Sequence, residues 1–264
     1  MITFNNKLKD INNIDEKDVY ILTDFDGTIT KSNSDSSWSS IFKNPKVTKE
    51  FKDECISIYT YYHKYEIDDS LDINQKINIM NEWYQKNIQT LKDFNITKDI
   101  IDYAANNTNI MDFRDGAKEF LETMYKKNIP VIVISAGVGN IIENFLIKNN
   151  CNYSNIHICS NFLEYKNNLI TSIRDNNLIH PLNKDEVSLP ISLQNIIKDK
   201  KNTILLGDNI TDINMSTLNK NLFKIGFLDE QIEERIQTFK DNYDIVCTNN
   251  TSYNELKDII DLFN

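Results

Sequence analysis

The 264-residue chain predicts an α/β fold, a Rossmann-like parallel sheet with a helical cap inserted after the first strand. Three observations carry that expectation. β-Branched runs such as "IPVIVISAG" lack polar alternation, as strands buried on both faces do. From residue 107 onward such runs alternate with stretches of helical spacing, the pattern of a parallel sheet covered on both sides. Between residues 31 and 106 the strand runs stop, and aromatic residues recur at helical intervals instead.

The elements follow in order. "VYILTDFD" supplies the first buried strand. "TKEFKDECISIYTYYHKYEI", "LDINQKINIMNEWYQKNI" and "ITKDIIDYAANN" predict three helices in the insert. "DGAKEFLETMYKKN" places Ala117, Phe120, Leu121 and Met124 on one helical face, ahead of the strand "IPVIVISAG" and the helix "VGNIIENFLIKNN". "NIHICSNF" reads as a strand, "ISLQNIIKDK" as a short helix and "NTILLGDN" as a buried strand followed by the helix "TDINMSTLN". "NLFKIGF" and "YDIVCT" close the series of strands, each followed by a helix. The expected division is a core of 1–30 and 107–264 and a cap of 31–106.

Composition bounds the function. At 40% hydrophobic and 26% charged, the chain can build a sizeable core. A net charge of −10 argues against nucleic acid backbones and anionic membranes as partners, though not against a local phosphate pocket. Cys55, Cys151, Cys159 and Cys247 show no CxxC spacing and only three histidines accompany them, so no zinc site is expected. Thiols without a secretion signal suit a soluble protein of the reducing cytoplasm. The excess of Asn, Ile and Lys over Gly and Pro reads as coding bias.

Ligands of open α/β sheets bind beyond the carboxyl ends of the strands. At those ends the sequence puts Asp24, with Asp26 and Thr28 beyond; Ser135, followed by Ala136; and Asp208, with Asp212 four residues on. Carboxylates that converge repel unless a cation joins them, and hard oxygen ligands favour Mg²⁺. An ionised Asp24 can then attack phosphorus, and Asp26 can protonate a leaving oxygen. Phosphate charge needs a balancing cation, for which Lys184 in "IHPLNKDE" is the candidate. Each residue also has a plainer reading: a turn at Asp24 and Asp26, a helix cap at Asp208, a first-turn acid at Asp212, a strand end at Ser135, a solvated Lys184.

D24-x-D26-G-T28, Ser135, Lys184 and G207-D208-x-x-x-D212 stand in the order of the four motifs of the haloacid dehalogenase-like phosphatases. "YYHKYEID", "EWYQKN", "SAGVGN", "LIHPLNK" and "ILLGDN" further resemble the cytosolic 5'-nucleotidase III, or pyrimidine 5'-nucleotidase, family. The likeness runs from about residue 19 to 250. It implies Mg²⁺-dependent removal of the 5'-phosphate from nucleoside monophosphates such as UMP and CMP, or from 7-methyl-GMP in one branch. It implies Asp24 as nucleophile and Asp26 as acid and base. Asp24, Asp208, Asp212 and the Asp26 carbonyl would be metal contacts, and Ser135, Ala136 and Lys184 phosphate contacts. In the cap it assigns the base-contacting Glu to Glu66. Asn87 stands where the family has Ser, and Trp38 where it has an aromatic residue stacking on the base. Glu66 as a surface acid and Trp38 as cap packing remain open, and Tyr61, Tyr62, Trp83 and Tyr84 read first as cap packing. The alternatives are a phosphatase of another small phosphomonoester, such as phosphoserine or a sugar phosphate, and a non-catalytic nucleotide-binding protein.

Overall fold

A computed structural model describes residues 3–4, 15–66, 68, 70–106, 110–218 and 221–260. In chain order the elements are β1 (Thr3–Phe4), β2 (Val19–Thr23), α1 (Lys49–Glu66), α2 (Ile73–Asp93), α3 (Lys98–Asn106), α4 (Ala117–Lys126), β3 (Val131–Val138) and α5 (Gly139–Lys148). There follow β4 (Ile156–Asn161), β5 (Leu163–Lys166), β6 (Leu169–Ile173), α6 (Ile191–Ile197), β7 (Asn202–Gly207), β8 (Asn221–Leu228), α7 (Ile232–Asn242), β9 (Ile245–Thr248) and α8 (Lys257–Ile260).

The main sheet has the order β1-β9-β8-β7-β2-β3-β4, parallel from β9 to β4 with β1 antiparallel at one edge. After β1 at the edge, the parallel part starts in the middle at β2, winds outward through β3 and β4, then returns to the other side of β2. That reversal opens a crevice at the carboxyl ends of β2, β3 and β7. β2 is buried throughout because each face meets its own layer. Val19 and Ile21 join one apolar cluster with Val131, Val133 and Leu206. Tyr20 and Leu22 join another with Ile132, Ile134 and Leu205. The unalternating apolar runs are the direct consequence.

The insert is rooted in the core. Phe51 near the start of α1 and Ile88 and Leu91 near the end of α2 share the cluster of Ile21 and Phe25, and α3 packs on α5. The other ends of α1 and α2 form a separate cluster of Ile58, Tyr62, Met80, Trp83 and Tyr84, seated over Ala136, Leu178 and Leu182. Tyr62, Trp83 and Tyr84 thus pack as expected, while Tyr61 is exposed.

The structure departs from the sequence reading in three places. The "TDINMSTLN" helix stops as a short 3-10 turn, Ile210–Met215. The N–H groups of Thr217 and Leu218, which a longer helix would use, are taken by the Glu186 carboxylate. The β5–β6 hairpin was not anticipated; its turn residues Asn167 and Asn168 have φ of 52° and 69°. Positive φ at both central positions defines the tight hairpin turn that matches strand twist. The asparagine excess is therefore more than coding bias. Among the described residues, Asn supplies eight of the ten non-glycine positions with positive φ, in a chain with only six glycines.

Three of these asparagines end helices in the same way. Asn95, Asn128 and Asn150 sit one residue past the caps of α2, α4 and α5, and the next residues, Ile96, Ile129 and Cys151, are buried. The N–H of Ile129 reaches the Met124 carbonyl at 2.9 Å and that of Asn128 reaches Tyr125 at 3.0 Å, closing a Schellman motif. Asn128 is exposed, so backbone conformation dominates its contribution. Asn128→Ala should cost about 1 kcal/mol, lowering the melting temperature by roughly 2–4 °C, whereas Asn128→Gly should stay near wild type. A glycine variant as unstable as the alanine one in thermal melts would refute this account.

Candidate active site

Asp24 follows the last residue of β2, and its N–H still pairs with the Leu206 carbonyl of β7 at 3.0 Å. Strand alternation then sends Phe25 into the core, edge-to-face on Phe145 with ring centres 5.8 Å apart. Gly27 turns the chain with φ of 75°, and a Cβ there would lie 2.3 Å from Asp208 Oδ2, so glycine is required twice over. The turn is fixed from beneath by Arg114, 1% exposed, whose guanidinium donates to the carbonyls of Thr28 (3.1 Å) and Gly27 and pairs with Asp229 at 2.8 Å.

Lys184 arrives on the loop after β6. Asn161, fully buried at the end of β4, donates to the carbonyls of Ala136 (2.9 Å) and Ile179 (2.8 Å) and accepts from the Ile179 N–H, tying that loop to the end of β3. The buried Lys184 ammonium then stands 2.9 Å from Asp24 Oδ1 and 2.5 Å from Asp212 Oδ1. Asp212 is placed by its other oxygen, which accepts from the N–H groups of Asp208 (3.0 Å) and Asn209 (2.9 Å). Ser135 is buried close by, its hydroxyl accepting from the Gly137 N–H at 3.1 Å.

Asp26 is held by the start of the insert. Both of its oxygens are held by Ser37, one by the N–H at 3.0 Å and one by the hydroxyl at 2.7 Å. That hydroxyl in turn accepts from the Val138 N–H at 3.1 Å. Next in the chain, Trp38 donates its indole N–H to the Ala136 carbonyl at 3.0 Å and meets Tyr84 edge-on. The first residues of the insert are thus stapled to the end of β3.

Burial sets the electrostatics. It pushes Asp24 up to about 7, against the pull of the Lys184 ammonium and with help from the Asp212 charge. It lifts Asp26 to about 6, against the two Ser37 hydrogen bonds. Asp208 is raised well above the carboxylate range by burial and by Asp212 and Asp24. Burial alone would lower Lys184, but Asp212 and Asp24 overcome it and raise it. Oxygens of Asp24, Asp208 and Asp212 lie within 4.8 Å of one another. Hard carboxylate oxygens at this spacing, with mutual repulsion to relieve, fit a divalent cation such as Mg²⁺.

Within the insert lies a cavity of about 440 Å³, of the size that holds small molecules. Trp38, Trp83, Tyr84 and Tyr59 wall it, and Glu66 and Asn87 supply its polar edges. Glu66 closes α1, with His63 Nδ1 3.5 Å away, and burial raises its carboxyl. Of the ten residues singled out in the sequence, Asp24, Asp208, Asp212 and Lys184 form the strand-end cluster with Ser135 buried near it, Trp38, Glu66 and Asn87 line the cavity, and Asp26 and Ala136 are bonded to Ser37 and Trp38 at the start of the insert. Sequence reasoning missed Ser37, Asn161 and Arg114. Ser37 and Asn161 carry no local signal. Arg114 does: it is one of only three arginines in a lysine-rich chain, each set over a phenylalanine ring.

Among the described residues no helix is long and apolar enough to cross a membrane. Residues 22–263 match the family model of pyrimidine 5'-nucleotidase (UMPH-1). The human 7-methylguanosine phosphate-specific 5'-nucleotidase is 32% identical over 235 residues, covering 86% of this chain and 78% of the relative. The crystal structure of cytosolic 5'-nucleotidase IIIB bound to cytidine superposes with a TM-score of 0.87 at 26% identity, covering 99% of this chain and 93% of that one. A substrate-bound phosphoserine phosphatase, 20% identical with a TM-score of 0.58, covering 94% of this chain and 98% of that one, shares the fold alone. The motif order, the strand-end cluster and these matches lead to one assignment: the chain belongs to the pyrimidine 5'-nucleotidase (UMPH-1) family.

Proposed function

We propose that the protein hydrolyses nucleoside 5'-monophosphates, UMP and CMP or 7-methyl-GMP, to nucleoside and phosphate. One observation carries the reading: a buried Asp24 is paired with Lys184 at 2.9 Å, and the charges of both reach Tyr84 in the wall of an aromatic cavity edged by Glu66. Family membership and the relatives' activities support it. Relatives named as cytosolic 5'-nucleotidases support a cytoplasmic location.

On this reading Asp24 attacks phosphorus in line. The ester bond to O5' breaks, its electron pair leaves with that oxygen, and Asp26 gives the oxygen a proton. The resulting aspartyl phosphate is opened by water, which loses a proton to Asp26 as phosphate departs. Lys184 and Ser135, with the main chain at Ala136, hold phosphate oxygens. Asp212 positions Lys184. Asp24, Asp208 and Asp212, with the Asp26 carbonyl, would hold Mg²⁺, which when bound offsets carboxylate repulsion and phosphate charge. The segment 31–106 serves as the cap, excluding water and meeting the base with Glu66, Asn87 and Trp38. A methylated, cationic guanine gains from aromatic faces, on the order of 1–2 kcal/mol in a desolvated site.

Phosphate release from UMP, CMP, AMP, GMP and 7-methyl-GMP, with and without Mg²⁺, tests the whole. Release should require the metal and favour the pyrimidine or 7-methylguanine substrates; silence on all five with activity on phosphoserine or a sugar phosphate would discard the cap assignment. Asp24→Asn should lose roughly three orders of magnitude or more in kcat. Glu66→Ala should reduce kcat/KM for the preferred nucleotide by about tenfold or more while sparing an aryl phosphate. Equal losses on both substrates would contradict base recognition by Glu66.

The pH profile tests Asp26. Its proton is the one delivered, so kcat/KM should decline as pH rises through the Asp26 pKa, about 6 in the free protein. The Ser37 hydroxyl holds that value down, so in Ser37→Ala the basic limb should move to higher pH. A limb that stays put or moves down would remove Asp26 from the donor role.

A further inference from the structure

Two residues beyond Lys184 the chain buries a second charge. Glu186 is 0% exposed, and among the described residues none of its hydrogen-bond partners is a cation. One carboxylate oxygen accepts from the Thr217 N–H (2.7 Å), the Ser216 hydroxyl (3.1 Å) and the Leu218 N–H. The other accepts from the Tyr20 hydroxyl. Its own N–H donates to the Met215 carbonyl at 2.9 Å. These bonds join three pieces of chain: the Lys184 loop, the stretch just after the Asp212 turn, and β2 four residues before Asp24. They are the three pieces that bring Lys184, Asp212 and Asp24 together.

A buried carboxylate is an expensive way to hold segments together, and apolar packing of similar volume often does as well or better. A carboxylate differs in being an acceptor only, with two oxygens able to take several donors in fixed directions. We propose that Glu186 is a positioning residue for phosphate binding: it sets the height and register of the Lys184 loop against β2 and the Asp212 turn. The Lys184 ammonium has to meet Asp24 and Asp212 and still face a phosphate oxygen. A misplacement of about 1 Å at such a group can cost on the order of 100-fold in rate. Glu186 touches neither substrate nor the carboxylate cluster, so it acts through Lys184. The inference rests on the reading of Lys184 as a phosphate contact.

Glu186→Gln tests it, because the amide must turn its NH₂ toward at least one of the donors that the carboxylate accepts. Two competitive inhibitors separate the subsites: inorganic phosphate, and the product nucleoside, which lacks phosphate. In Glu186→Gln, phosphate inhibition should weaken by about tenfold or more, and kcat should fall, while nucleoside inhibition stays within about twofold of wild type. A purely structural loss would weaken both inhibitors together, and that result overturns the proposal, as does unchanged phosphate inhibition. Tyr20→Phe removes one donor and leaves the carboxylate in place; it should shift phosphate inhibition in the same direction by a smaller factor. If Glu186→Gln does not fold, Tyr20→Phe decides: phosphate inhibition equal to wild type overturns the proposal. A wild-type enzyme insensitive to phosphate would defeat the phosphate-site reading and this inference with it. A sensitive wild type beside an equally sensitive Glu186→Gln defeats the inference alone.

Discussion

The repulsion among Asp24, Asp208 and Asp212 is the constraint on which the rest of the structure turns. With oxygens within 4.8 Å of one another, each ionised pair opposes the other by about 3–4 kcal/mol at an effective dielectric of about 20. A marginally stable domain tolerates that only if protons, an ammonium or a metal ion share the site. Burial lifts Asp24 and Asp208, while Lys184 works against it by lying between Asp24 and Asp212. The surrounding scaffold keeps these groups in contact. Arg114 fixes the turn after Asp26, Asn161 ties the Lys184 loop to β3, and Glu186 ties it to β2 and the Asp212 turn. All three are fully or almost fully buried; Arg114 and Asn161 bond mainly to backbone groups, and Glu186 divides its bonds between two backbone N–H groups and two hydroxyls.

The proposed proton donor is held separately. Asp26 lies one pleat beyond Asp24 yet faces Ser37, outside the triad of carboxylates. Two carboxylates two residues apart thereby meet different surroundings, one against an ammonium and one against a hydroxyl and an N–H. Burial still lifts Asp24 to about 7 and Asp26 to about 6, so keeping the proposed nucleophile ionised beside a protonated acid falls to Lys184 and to a cation held by the three carboxylates. Ser37 and Trp38 begin the insert, so the same short stretch that orients Asp26 also carries a wall of the aromatic cavity.

The parts legible in the sequence were those with a local pattern. Unalternating apolar runs gave the central strands, helical spacing gave α1, α2, α4 and α5, and carboxylates at strand ends gave the cluster. The illegible parts depend on distant partners or on backbone geometry. Ser37 is one serine among several in "SNSDSSWSS" until its hydroxyl is seen between Asp26 and Val138. Glu186 looks like a solvated acid beside Asp185 until Thr217 and Leu218, some thirty residues on, point their N–H groups at it. The β5–β6 hairpin had a signal that was passed over, since Asn-Asn between two apolar runs is a turn chemistry with a mechanism. In this chain asparagine does much of the work usually left to glycine, and the three arginines mark places where a flat, stacking cation is wanted.

The division of labour between core and insert follows from where each is packed. Every group proposed to touch the phosphate comes from a strand end or a loop fastened to one, in a sheet whose central strands are buried on both faces. Those proposed to touch the base come from α1, α2 and the segment before them, whose far halves pack as a cluster of their own above Ala136, Leu178 and Leu182. A change of side chain in the cavity wall therefore alters the shape and polarity offered to a base without displacing Lys184 or the three carboxylates. The reverse does not hold. Ala136 lies under the insert cluster and its carbonyl receives the Trp38 indole, so a shift at the end of β3 moves the cavity wall with it. Selectivity can drift while the proposed chemistry stays fixed, but damage at the end of β3 should reach base recognition as well, which a shift confined to Lys184 need not.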